Sequence, residues 1–246
     1  MGVKFTYYGG MCVLVERSDG KKLLFDPYIS KNPQTEVPVS RFYDVDFVFV
    51  THNANDHYGD VEELMMNSRA TLISGSDVVR RIGEVFEVPR ERRIGTMYGD
   101  EREIDDVTRL HTVTAIHHSK TTKNGVTASA PAFGFIVDIE PGITYYHAGD
   151  TCLFSDMKLY RELYHPNVMA VGIWKFKEPY PPCDMAPREA AYAVSYAGPE
   201  VVIPTHYPMG SNAPAVFERH LETLAPHVTV KREIEKTFVC TPFRVE

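Results

Sequence analysis

The chain reads as a layered α/β sandwich, with two sheets packed face to face and helices outside. Three observations predict it. Strand-rich segments give way to helical ones twice along the 246 residues, which suits two sheets that each carry helices on one face. Apolar runs recur, the clearest being Val45-Asp46-Phe47-Val48-Phe49-Val50, and such runs fit buried strands. Predicted strands also end repeatedly in an imidazole or a carboxylate, and α/β sheets gather functional groups at strand ends.

In chain order, short strands fall over residues 3–8, 12–16, 22–25 and 45–50, with a turn at Ser18-Asp19-Gly20. Helices follow over 61–67 and 77–85. Strands are predicted over 109–117, 133–139 and 143–147, the last two joined by the turn-like Glu140-Pro141-Gly142. Next come a strand over 167–173, a helix over 187–196 and a buried strand over 201–205. Proline at the first turn of that helix removes only an N–H that would have had no helical partner. A helix over 214–224 and closing strands over 228–230 and 237–240 complete the pattern. No repeat or linker-like stretch divides the chain, so 1–246 reads as one domain.

Composition excludes several classes. The chain is 43% hydrophobic and 24% charged, ordinary for a soluble globular protein. A net charge of −7 and the lack of a basic stripe argue against a nucleic-acid binder. No apolar run approaches the roughly 20 residues that cross a membrane. Met1-Gly2-Val3-Lys4-Phe5 has no signal-peptide plan, so the expected location is cytoplasmic. Cys12, Cys152, Cys183 and Cys240 form no Cys-x-x-Cys pair and read as reduced thiols.

The densest chemistry lies in Thr51-His52-Asn53-Ala54-Asn55-Asp56-His57, directly after the apolar run. Neutral imidazoles and a carboxylate on one short loop are the donors that zinc, manganese or iron take at neutral pH. His118, Asp150 and His206 stand at the ends of other predicted strands. A lone histidine at a strand end is more often structural, but several such termini together favour a metal site. His147 either orients a ligand from behind or is a buried hydrogen-bonding histidine.

These residues resemble the metallo-β-lactamase superfamily, whose loop is His-x-His-x-Asp-His after a buried strand. More narrowly, they are similar to the metal-dependent hydrolases related to L-ascorbate-6-phosphate lactonase. The narrower resemblance rests on Tyr145-Tyr146-His147-Ala148-Gly149-Asp150-Thr151, with Leu153-Phe154 and Asp156-Met157 behind it. Glu189-Ala190-Ala191-Tyr192-Ala193-Val194, Val201-Val202-Ile203-Pro204-Thr205-His206-Tyr207 and Asp26-Pro27 extend it. It implies a four-layer αββα sandwich.

The resemblance also implies a ligand set. A first divalent metal would take His52, His118 and a third imidazole, in whose place stands Ala54. A second would take Asp56, His57 and His206, with Asp150 bridging both. Alanine offers no donor, and the amides of Asn53 and Asn55 are poor substitutes. One ion, zinc or manganese, is therefore expected to bind firmly and the other weakly or not at all. Ala54 reads equally as a natural residue and as an inactivating replacement. His118 is preferred to His117 because His118-Ser119 matches the family, and strand alternation points the neighbours to opposite faces.

Two departures bear on the substrate. Gly9-Gly10 stands where relatives often have Gly-His, and the stretch from Trp174 to Cys183 replaces a shorter, Gly-rich loop. Trp174, Phe176 and Tyr180 either reshape the pocket or pack under a Pro-rich loop. Lys120, Lys123, Lys175 and Lys177 either recognise an anionic group or form a solvated face. The expected activity is hydrolysis of a cyclic ester (lactone) or phosphoester in a small polar metabolite by metal-activated water, with Asp56 taking the proton. The alternatives are a phosphodiesterase and a catalytically degenerate scaffold that binds metal or metabolite. The expected partner is a small molecule, with no nucleic acid or membrane, and exposed edge strands leave a homo-oligomer open.

Overall fold

The computed structural model describes residues 2–123, 126–175 and 184–242. Phe176, Lys177, Tyr180 and Cys183 lie outside the described residues, as do the side chains of 121–123 and 126–128, Lys123 among them.

The first sheet contains β1 (Val3–Tyr7), β2 (Val13–Glu16), β3 (Lys22–Phe25), β4 (Phe47–Val50), β5 (Thr71–Gly75) and β6 (Arg93–Thr96). β14 (Thr237–Cys240) pairs antiparallel with β1, giving the order β14-β1-β2-β3-β4-β5-β6. The second sheet contains β7 (Glu101–Glu103), β8 (Arg109–Lys123), β9 (Val126–Glu140), β10 (Ile143–His147), β11 (Val168–Gly172), β12 (Val201–Thr205) and β13 (Thr229–Val230). Its order is β13-β12-β11-β10-β9-β8-β7. The helices are α1 (Asn55–Tyr58), α2 (Val61–Asn67), α3 (Ser76–Val85), α4 (Met157–Tyr164), α5 (Pro187–Ala197) and α6 (Ala213–Leu224).

Three apolar clusters show the layers. Phe5, Phe25 and Phe49 of the first sheet meet Phe133, Phe135 and Tyr145 of the second in a central core. Leu24, Val48 and Leu72 face the other way, against Leu64, Val78 and Ile82 of α2 and α3. Met169, Val171 and Val202 likewise pack against Val194, Phe217 and Leu221 of α5 and α6. β4 is thus apolar throughout because Phe47 and Phe49 fill the core while Val48 and Val50 meet helices. This is the αββα sandwich expected from the sequence.

β5, β6, β7, α1 and α4 were not anticipated. β7 is Glu-Arg-Glu and wholly exposed, an edge strand held by pairing with β8 rather than by burial. β8 and β9 run for 15 residues each, beyond the apolar stretches that announced them. Their register shifts at one point: Thr114 pairs with Phe133 and His118 with Pro131. Ala115, Ile116 and His117 therefore oppose Ala132 alone, a bulge that breaks the alternation of side chains. The displaced backbone is still satisfied, since Ile116 N–H donates to Thr151 Oγ1 (2.9 Å) and its carbonyl accepts from Cys152 N–H (3.3 Å). Among the described residues, no helix is long and apolar enough to cross a membrane.

Candidate metal centre

The centre is organised by a carboxylate behind it. Asp26 follows β3 in the left-handed region (φ +42°) and is fully buried. Its Oδ1 accepts from Thr51 N–H (2.8 Å), and its Oδ2 accepts from Thr51 Oγ1 (2.9 Å), His57 Nδ1 (2.9 Å) and His147 Nε2 (3.0 Å). Burial alone would raise its pKa, but the two histidines overcome this and hold it far below the carboxylate range. An ionised carboxylate can only accept, so both ring nitrogens carry hydrogens towards it. His147 Nδ1 then accepts from Tyr145 Oη (2.8 Å). His147 therefore acts through Asp26, which fixes His57 with Nε2 pointing at Asp150, 3.2 Å from Oδ2.

The short helix α1 carries His57 and one more donor, Asp56. Ala54 is extended before it (φ −114°, ψ 152°), and its carbonyl accepts from Tyr58 N–H at 2.7 Å. Gly59 ends it at φ +42°, where a Cβ would lie 2.3 Å from the Pro27 carbonyl oxygen. The loop can turn there only with glycine. His52 lies before the helix, buried, with Nε2 4.0 Å from Asp150 Oδ2. Asn53 N–H donates to Ser119 Oγ (2.8 Å), which ties the loop to β8.

From the second sheet come Asp150 and His206. Asp150 follows Gly149 (φ +62°), where a Cβ would meet Thr51 Cγ2 at 2.9 Å and the Phe133 carbonyl at 3.0 Å. His206 directly follows β12 in the left-handed region (φ +56°), anchored by its N–H to the Gly10 carbonyl (2.8 Å). Such a backbone is uncommon outside glycine and persists where surrounding contacts hold it. His206 Nε2 lies 3.2 Å from Asp56 Oδ2 and 3.7 Å from Asp150 Oδ1.

The imidazole that β8 brings to this cluster is His117, not His118. His117 Nε2 lies 3.9 Å from Asp150 Oδ2 and its Nδ1 3.6 Å from Asp184 Oδ1. His118 stacks on it with ring centroids 5.0 Å apart, nearly parallel, and lies outside the donor groupings. The alternation argument for His118 fails because the bulge sits at this point. Asp184 is an addition, a buried acid shortly before α5 whose neighbours in sequence give no hint of the cluster.

The donors form three overlapping groups with ligand atoms within 4.8 Å of one another: His52, His57 and Asp150; Asp56, His57 and His206; and His117, Asp150 and Asp184. Their electrostatics differ. Burial, helped by the charge on His57, pushes His52 down to about 3, and burial pushes His117 down to about 4. Burial acts the same way on His206, but Asp150 and Asp56 reverse it and push the ring up to about 9. His57, between Asp150 and Asp26, also rises well above its ordinary value despite burial. Burial and the adjacent Asp150 carboxylate push Asp184 up to about 7.

The donor set fits a metal. His52 Nε2, His57 Nε2, His117 Nδ1, Asp150 Oδ1 and both Asp184 oxygens are buried without a hydrogen-bond partner. Each such group costs about 1–3 kcal/mol when left unsatisfied, a cost that a shared cation at this point would remove. A cleft of about 160 Å³ opens beside Asp56 and His206, lined also by Gly10, Tyr28, Gln34 and Trp174. Lys175 is not among the residues that line it, and its Nζ lies 3.3 Å from both Glu189 carboxylate oxygens.

A family model described as a beta-lactamase superfamily domain matches residues 21–207. The chain belongs to the metallo-β-lactamase superfamily. Within it, a UPF0173 metal-dependent hydrolase of Caldivirga maquilingensis is 36% identical over 214 residues, 86% of each chain. Another from Pyrococcus abyssi is 35% identical over 232 residues, 93% of this chain and 96% of its own. These likenesses place the chain in the UPF0173 family. Among solved structures, Igni18, a metallo hydrolase from the archaeon Ignicoccus hospitalis, superposes with a TM-score of 0.80 at 27% identity, covering 98% of this chain and 100% of its own. The metallo-β-lactamase-fold protein YhfI of Bacillus subtilis superposes at 0.70 with 14% identity over 97% of this chain and 99% of its own, a likeness of fold.

Proposed function

We propose that this member of the UPF0173 family hydrolyses a cyclic ester (lactone) or a phosphoester of a small polar metabolite. Its divalent metal, zinc or manganese, would be held by His52, Asp56, His57, His117, Asp150 and His206. The observation that carries the reading is the convergence of buried, unpartnered imidazole and carboxylate atoms from both sheets on Asp150. Once bound, a divalent metal supplies Lewis acidity and lowers the pKa of water from about 15.7 to about 7.

The chain's own residues supply the rest. Asp56 borders the cleft, and despite partial burial His206 and His57 keep it ionised well below the carboxylate range. It orients the attacking water and takes its proton at a carboxylate oxygen. The water oxygen bonds to the carbonyl carbon or phosphorus, the ester C–O or P–O bond breaks, and the proton passes to the departing alkoxide. The Asp26–His57 pair keeps Nε2 aimed at the centre throughout. A cleft of about 160 Å³ supports a small substrate, since sites for drug-sized ligands run to roughly 300–1,000 Å³. With Lys175 engaged by Glu189, an anionic group would be met by the metal centre rather than by that lysine.

The test is turnover of small lactones, phosphomonoesters and phosphodiesters by zinc- or manganese-loaded protein. Lactone or phosphomonoester hydrolysis that falls at least about 100-fold in Asp56→Ala is expected. Turnover confined to phosphodiesters would instead make the protein a phosphodiesterase. Ala54 favours a second reading, a scaffold that binds without turnover. It prevails if neither the loaded protein nor its Ala54→His variant hydrolyses any member of the panel.

A further inference from the structure

We propose that Asp184 is a metal ligand that replaces the donor missing at Ala54, so that one ion is held by His52, His117, Asp150 and Asp184. The inference rests on the metal reading above and concerns one position of it. With Ala54 in the loop, that position has two imidazoles and the shared Asp150, three donors where zinc ordinarily takes four.

Asp184 has the properties of the fourth. It is 4% exposed, and neither carboxylate oxygen has a hydrogen-bond partner. Its Oδ1 lies 3.6 Å from His117 Nδ1, and it shares a donor group with His117 and Asp150. The bland role for an acid ahead of a helix is capping, and Asp184 does not fill it: neither of its oxygens accepts from a first-turn N–H of α5. Ala186 precedes α5, and its N–H donates to Glu189 Oε2 at 2.8 Å. A buried carboxylate without a donor is strongly unfavourable, and a second carboxylate beside it makes matters worse. A shared cation reverses both effects. The rival role, orientation of His117 by Asp184, would bring Nδ1 within hydrogen-bond distance, and Nδ1 and Oδ1 stand 3.6 Å apart; the metal stoichiometry decides between the two.

The test is zinc content by elemental analysis and zinc affinity by chelator competition in four proteins: wild type, Asp184→Asn, Ala54→His and the double variant. About two zinc ions per chain are expected in the wild type and about one in Asp184→Asn, the second lost outright because one of its four donors is gone. A loss of only about 10–100-fold at unchanged stoichiometry would make Asp184 a residue that orients His117 and would overturn the proposal. The double variant should regain the second ion, because an imidazole at residue 54 again supplies the fourth donor. Cobalt(II) loading gives an independent readout: Asp184→Asn should alter the visible absorption of one of the two ions. Asp184→Glu keeps the charge but moves it, and should weaken the same single ion if the Asn variant does not fold.

An Asp184→Asn or Asp184→Glu protein that keeps the wild-type stoichiometry and affinities overturns the proposal, whether that stoichiometry is one or two. The metal reading then stands, with Asp184 outside it. A wild type that binds no zinc overturns both, and the two failures are told apart by that control.

Discussion

On one side of the centre, Asp56, His57 and His206 form a full set of donors, with carboxylates against both rings. On the other, His52 and His117 approach the same Asp150 oxygen at 4.0 and 3.9 Å, and Ala54 in the adjoining loop offers no donor. The contrast extends to protons. His57 and His206 are held charged by acidic neighbours, whereas His52 and His117 are already neutral at pH 7. An acid-rich site is ready in charge but must lose protons to bind a cation. A site whose imidazoles are already neutral has its lone pairs free.

Breaking what the two sides share should have the largest effect. Asp150→Ala is expected to strip the protein of metal and lower any hydrolase activity at least about 100-fold. Elemental analysis decides it, and an ion retained at full occupancy would mean that Asp150 serves one side only.

A narrower cut falls behind the complete side. Asp26→Asn removes the negative charge against His57 Nδ1 and turns one of the two accepting oxygens into a donor, and should weaken one ion about 10–100-fold while sparing the other. Because Asp26 is buried among four donors, stability in urea should also fall by about 3–5 kcal/mol. Equal weakening of both ions would erase the distinction between the sides.

The smallest effect is a difference in proton release. His206 titrates at about 9, so between pH 7 and 9 the ring is protonated in metal-free protein and must give up that proton on binding. Affinity at the complete side should therefore rise with pH through this window, with His57, also raised, adding to the proton release. His52 and His117 carry no proton there, and Asp184, at about 7, is losing its own at the lower end. The other side should accordingly approach pH-independence by pH 8. Calorimetry in buffers of differing ionisation enthalpy separates the two, and identical proton release would contradict the assigned charges.

The readable and unreadable parts of the site differ for physical reasons. His52, Asp56 and His57 announce themselves because a run buried on both faces stops abruptly at a polar loop. Asp150 and His206 follow from the same grammar of strand ends. His117 was missed because a bulge is a property of two strands together: three residues against one cannot be seen in β8 alone. Asp184 was missed because its meaning comes wholly from what folds around it, 34 residues from Asp150 in sequence. The layers were readable through Phe47-Val48-Phe49-Val50 and its counterparts, while β7 was not, since exposed Glu-Arg-Glu holds its place only by hydrogen bonding to a neighbour.

Asp26 gathers hydrogen bonds from Thr51 and His57 at the end of the first sheet and from His147 at the end of the second. A growing chain that has been synthesised only as far as β6 already possesses the acid, the threonine, His52, Asp56 and His57. It still lacks His147, Asp150 and His206, so the carboxylate has nothing to clasp across the interface and the loop has no shared ligand to face. The complete set of donors thus exists only once β10 and β12 have docked on the first sheet, and an ion bound there would join the two sheets to each other.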